Sequence, residues 1–173
     1  MKMKNLKEKN LNLVFVYGTL MDGLHNNYIL KNGGANLISK AMTQHSFVMF
    51  ASSYNGIPFV ADVPTDCDPS TPGITWLENA TNINGEVWSC NDETLAMLDR
   101  LEGHPKWYKR EEINTYTNAH HWAFREEIKA WCYLMPMTEK EMHDSINYPV
   151  IVRDGNFKNI RWDYIQHPNT PEE

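Results

Sequence analysis

Apolar residues in the first third of the chain come in short runs and not at helical intervals. Leu13 to Tyr17 is β-branched and aromatic and stops at Gly18, which predicts a buried strand entering a tight turn. Gly23 and the polar Asn26 and Asn27 follow, then Tyr28, Ile29 and Leu30 ahead of Asn32-Gly33-Gly34, the pattern of a short helix. Three apolar stretches come next, about Asn36 to Thr43, Ser46 to Ala51 and Ile57 to Val63, with Tyr54-Asn55-Gly56 as a turn between the last two; together they predict an antiparallel meander. From Pro64 to Thr81 the residues change to Pro, Asp, Thr and Gly, a surface loop.

Ile83 to Trp88 resumes as a strand. Asn91 then offers an N-cap, and Asp92 and Glu93 place acids in a first helical turn, where the helix dipole favours them. This helix runs to about Glu102 and ends at Gly103, with Pro105 barring its continuation. Two further strands are predicted, about Tyr108 to Tyr116 and Glu126 to Leu134, joined across Asn118. Beyond Pro136, Thr138 and Glu141 form a capping box for one short helix, and Pro149, Gly155 and Pro168 punctuate an irregular tail from about residue 137. The order predicts an α+β fold with a mostly antiparallel sheet, and the number of strands permits closure into a small β-barrel flanked by a few helices.

The 173 residues suit one domain over residues 11–173, preceded by a flexible basic leader, MKMKNLKEKN. That leader and the following LNLVFVYGTL imitate a secretory signal, but Asn12, Tyr17 and Gly18 interrupt the apolar run and no small-residue cleavage site follows. With 16 basic against 22 acidic residues the net charge is −6, and no basic stripe is present to neutralise a phosphate backbone, which argues against nucleic acid as a partner. No apolar run is long enough for a transmembrane helix, so no membrane partner is expected. Cys67, Cys90 and Cys132 are odd in number and widely spaced, as expected of reduced thiols in the cytoplasm.

Two positions hold candidate chemistry. On a helical projection of about 100° per residue with Leu95 at zero, Leu98 falls near −60° and Glu102 near −20°, so the carboxyl of Glu102 lies inside the apolar stripe. Burial and the negative end of the helix dipole both favour its protonated form, so a raised pKa is expected, the condition of a group that exchanges protons near neutrality. The competing reading lets the acid escape to solvent at a fraying helix end or pair with Arg100, Lys106 or Arg110. The second position is Tyr17-Gly18-Thr19-Leu20, where a strand ending in a glycine turn can present unpaired backbone N–H groups to a carboxylate or an oxyanion. Strand-to-glycine turns are common, so this signal alone does not specify a site. No GxSxG elbow, P-loop, GxGxxG or HExxH is present, and the seven histidines are scattered, so neither a cofactor nor a metal is expected. Trp88, Trp107, Tyr108, Trp131 and Tyr133 are expected mainly in the core, with some free to wall a pocket.

Taken together, VFVYGTLMDG at 14–23, NGIPFVADV at 55–63, INGEVW at 83–88 and LDRLEGHPKWYKR at 98–110 resemble the gamma-glutamylcyclotransferase-like superfamily, most closely its gamma-glutamylamine cyclotransferase branch. The order and spacing agree over about Leu13 to Leu134. The resemblance implies a small β-barrel flanked by helices, a YGTL loop whose backbone holds a γ-glutamyl group, and Glu102 as the acid/base. It further implies a small-molecule γ-glutamyl substrate, such as γ-glutamyl-ε-lysine, converted to 5-oxoproline and free amine, with Tyr108 as a pocket wall or hydrogen-bond donor. The alternatives are a cyclotransferase acting on γ-glutamyl amino acids or on a γ-glutamyl-protected intermediate, and a binding module without chemistry. The leader, the enlarged loop from Pro64 to Thr81 and the tail depart from the family pattern.

Overall fold

A computed structural model of the chain describes residues 11–51, 56–62, 79–117, 125–136 and 150–159. The elements are β1 (Asn12–Val16), α1 (Asn27–Asn32), β2 (Asn36–Ala51), β3 (Pro58–Ala61), β4 (Thr81–Cys90), α2 (Asp92–Leu101), β5 (Lys109–Thr117), β6 (Glu127–Leu134), β7 (Val150–Ile151) and a 3-10 turn at Phe157–Asn159. The neighbour order β2-β4-β1-β6-β5 closes on itself because β2 also pairs with β5, giving a five-stranded mixed barrel. β1 and β6 run parallel, meeting at Val14 and Trp131, and the other pairs of the ring are antiparallel. β3 and β7 extend β2 outside the ring. Phe15, Ile83, Val87, Leu98 and Ile128 are among the fully buried side chains that fill the interior. No helix among the described residues is long and apolar enough to cross a membrane.

The meander needs correction. Its first two stretches are one strand, β2, which passes the polar Gln44 and His45 through a bulge between Met42 and Ser46. The bulge survives because its loosened groups find side-chain partners. Asn82 Nδ2 donates to the carbonyls of Thr43 (2.9 Å) and Gln44 (3.0 Å), while Thr43 Oγ1 accepts the Ile83 N–H at 2.9 Å. The third stretch does form a hairpin partner of β2, as β3, but the other neighbours of β2 are β4 and β5. The Pro64 to Thr81 loop up to residue 78, most of the turn at 54–56, the capping box at 138–141, Cys67 and the leader lie outside the described residues.

α2 is the element that positions the candidate acid. Asn91 Oδ1 accepts the Thr94 N–H at 2.8 Å, which starts the helix as its sequence predicts. It ends in a Schellman-type closure: the His104 N–H reaches the Asp99 carbonyl at 2.9 Å, and Gly103 takes a φ of 64°, a conformation that a residue with a Cβ rarely adopts. Leu95 and Leu98 are buried against the barrel, and Thr94 Oγ1 ties the helix to the Gly33 carbonyl after α1.

Candidate functional site

β1 ends at Val16, and the chain from Tyr17 to Leu24 folds into a turn whose carbonyls are occupied from within. The Met21 N–H donates to the Gly18 carbonyl (3.0 Å), the Asn26 N–H to the Thr19 carbonyl (3.0 Å), and Asn27 Nδ2 to the Leu20 carbonyl (2.7 Å). Asn26 Nδ2 also donates to Thr19 Oγ1 at 2.9 Å. A peptide N–H points opposite to the carbonyl of the preceding residue, so the inward carbonyls of Gly18 and Thr19 turn the N–H groups of Thr19 and Leu20 outward. The N–H groups of Gly18, Thr19 and Leu20 have no protein acceptor among the described residues. Gly18 has a further steric reason to be glycine: a Cβ there would lie 2.6 Å from Pro58 Cγ.

These residues line a cavity of about 50 Å³ with Phe15, Val16, Ile57, Pro58, Glu102 and Tyr133. Its size admits a compact chain of a few atoms and excludes a folded partner. Glu102 caps the C-terminus of α2. Its carboxyl makes no hydrogen bond or ion pair among the described residues, and burial pushes its pKa up to about 7. None of the three basic residues weighed as its partner, Arg100, Lys106 and Arg110, pairs with it; Arg110 Nη1 instead binds both oxygens of Asp99 (2.8 and 2.7 Å) and its guanidinium lies over the Trp131 ring, 5.1 Å from its centre.

Glu102 and Tyr17 to Leu20, far apart in sequence, thus meet at one cavity. Tyr108 does not line it. That residue is buried nearby, and both burial and the negative charge of Glu102 hold its phenol protonated. The wall position belongs to Tyr133, whose hydroxyl donates to Asp99 Oδ1 at 2.8 Å and whose carbonyl accepts the Tyr17 hydroxyl at 2.7 Å. In the sequence, Tyr133 belongs only to the general aromatic set. Ile57 and Pro58, also cavity walls, fell within the NGIPFVADV match but carried no chemical signal of their own.

Comparison with known proteins agrees with this architecture. Residues 14–159 match the model of the family described as gamma-glutamyl cyclotransferase, AIG2-like. The chain belongs to that family. Its relatives include a Methanocaldococcus jannaschii protein named "Putative gamma-glutamylcyclotransferase", 30% identical over 86% of this chain and 97% of that one. Another is gamma-glutamylaminecyclotransferase C of Danio rerio, 31% identical over 58% of this chain and 59% of its own length. Among solved structures, an AIG2-like protein from Mus musculus superposes with a TM-score of 0.60 at 19% identity, covering 77% of this chain and 83% of that one, a likeness of fold. Membership places the chain among gamma-glutamyl cyclotransferase enzymes.

Proposed function

We propose that the protein is a gamma-glutamylamine cyclotransferase that converts a γ-glutamyl amine, with γ-glutamyl-ε-lysine as the leading candidate, into 5-oxoproline and the free amine. The α-amine of the substrate attacks its own γ-carbonyl carbon. A new C–N bond closes the five-membered lactam and the C–N bond to the leaving amine breaks. Nucleophile and electrophile belong to one molecule, so the main task is to hold a folded conformer, and no protein nucleophile is needed. Glu102 takes a proton from the attacking ammonium and returns it to the departing nitrogen, a two-way role that suits a carboxyl with a pKa near 7, and the second proton shed by the new lactam nitrogen ends on the freed amine as its ammonium. The outward N–H groups of the Tyr17–Leu20 turn bind the glutamyl portion and offset negative charge on the tetrahedral oxygen.

The observation carrying this reading is that Glu102 and the turn residues Gly18, Thr19 and Leu20, whose carboxyl and N–H groups have no protein partner among the described residues, line the same small cavity. Danio rerio relatives named gamma-glutamylaminecyclotransferases supply the amine reading, and relatives named putative gamma-glutamylcyclotransferases keep the amino-acid reading in the same test. The test is incubation of the purified protein with γ-glutamyl-ε-lysine, γ-glutamyl-alanine and glutathione, with 5-oxoproline read by mass spectrometry. Release from γ-glutamyl-ε-lysine in preference to the other two is expected. Release mainly from γ-glutamyl-alanine would move the protein to the amino-acid branch, and three intact substrates over about pH 6 to 9 would leave a binding module.

A further inference from the structure

A second carboxyl is bonded to the turn at Asp22, and the proposed reaction has no use for it. Glu86 sits in β4, opposite Val16 of β1 and Lys40 of β2, and is 3% exposed. Its Oε2 accepts the backbone N–H of Asp22 at 2.7 Å and the Trp88 indole N–H at 3.1 Å. Lys158 Nζ lies 3.4 Å from Oε1 and donates to the Asp22 carbonyl at 3.0 Å. The Asp22 residue is therefore held by its N–H on Glu86 and by its C=O on Lys158. Its own side chain does not compete, because it pairs with Lys31 at 2.8 Å on the surface.

Lys158 reaches this point from 136 positions away, and its own placement is fixed independently of the turn. The Val152 N–H donates to the Met49 carbonyl (2.9 Å), the Asn84 N–H to the Gly155 carbonyl (2.8 Å), and Phe157 is buried. Gly155 packs so closely on β4 that a Cβ would stand 2.3 Å from the Asn82 carbonyl oxygen. The segment from Val152 to Lys158 is thus a strap laid over β2 and β4, and its last basic residue grips the turn.

We propose that Glu86 and Lys158 are positioning residues that form a clasp on Asp22 and thereby set where the Tyr17–Leu20 amides stand in the cavity. Gly18 and Met21 are joined by a single backbone hydrogen bond, and Asp22 is the next residue, so a shift at Asp22 is passed directly to the amides that face the cavity. A buried carboxylate tolerates its surroundings only when donors and a cation answer it. Among the described residues, loss of Lys158 leaves Glu86 with neutral donors alone and frees the Asp22 carbonyl. The effect on catalysis rests on the cyclotransferase reading; the clasp itself does not.

The test uses the full chain with Lys158→Met and Lys158→Arg, both at a partly exposed site that leaves the core intact, and Glu86→Gln as a second probe. Two quantities are read: hydrogen exchange at the Met21, Asp22 and Leu24 amides against amides of α2, and kcat and KM for γ-glutamyl-ε-lysine. Lys158→Met should speed exchange at the three turn amides and raise KM, each about tenfold, while kcat and the α2 amides stay near wild type. Lys158→Arg should restore both. Unchanged turn exchange in Lys158→Met overturns the clasp, as does a uniform rise across the turn and α2, which marks plain loss of stability. A wild-type protein that forms no 5-oxoproline overturns the functional reading instead, and the exchange experiment then decides the clasp by itself.

Discussion

Two carboxyl groups flank the same turn, and the fold provides for them in opposite ways. Glu86 is surrounded by an amide, an indole and an ammonium, all of which answer its charge. Glu102 has no such partner among the described residues, and burial pushes its pKa up to about 7. On the proposed function, the contrast means that burial alone does not make a carboxyl reactive. A fully answered acid becomes a fixed point of the structure; an unanswered one beside a cavity is left to move protons.

The comparison breaks most sharply at Glu102 itself. Glu102→Gln keeps the shape and removes the titration, and kcat should fall about 10²- to 10⁴-fold while 5-oxoproline still binds, as checked by calorimetry and by the rate of product release into solution. In the wild type, kcat/KM should rise with pH through about 7, because the carboxyl must be ionised to accept the proton of the substrate ammonium. Near-normal turnover in the variant would make Glu102 as passive as Glu86.

A smaller effect is expected where the turn meets the opposite wall. Gly18→Ala sets a Cβ 2.6 Å from Pro58 Cγ, so either the Pro58 ring or the turn must give way. Overpacking of this kind costs about 1–3 kcal/mol. Weaker binding of γ-glutamyl-ε-lysine, seen as a higher KM, should accompany a lower melting temperature. Unaltered KM would show that the turn amides do not hold the substrate.

Much of this arrangement is visible in the sequence where one face of an element is buried and the other is wet. The 3.6-residue period of α2, its Asn91 cap and its Gly103 stop put Glu102 on the apolar stripe from the sequence alone. β4 and β6 lack that legibility. Glu86 to Cys90 are buried in succession, as are Cys132, Tyr133 and Leu134, because material packs on both faces of the barrel wall. With alternation gone, nothing local tells that Glu86 is enclosed or that Tyr133 walls the cavity. Gln44-His45 misleads for a related reason: two polar residues read as a strand end, while the Gln44 carbonyl accepts from the side chain of Asn82, thirty-eight positions away, and the His45 carbonyl from the Thr43 hydroxyl. The Glu86–Lys158 contact spans 72 positions and has no local signature at all.

Tyr133→Phe separates the wall from the phenol. It keeps the ring in the cavity and deletes the donor to Asp99, which still has Arg110. A loss of about 1 kcal/mol in urea unfolding with kcat little changed is expected. A fall in kcat approaching that of Glu102→Gln would instead put the hydroxyl in the chemistry.

The smallest effect is a difference of sign in stability. The folded pKa of Glu102 lies above its ordinary value of 4.5, so the folded state holds the proton more tightly than the unfolded chain does. Ionising the group therefore disfavours the fold, and the disadvantage grows as pH rises from about 4.5 to about 7 and then levels off. Glutamine carries no charge at any pH. Melting of Glu102→Gln and wild type should thus nearly coincide near pH 4.5 and separate by a few degrees above pH 7, with the variant the more stable. A gap of equal size at both pH values would mean that burial does not raise the carboxyl's pKa, and the contrast with Glu86 would lose its physical basis.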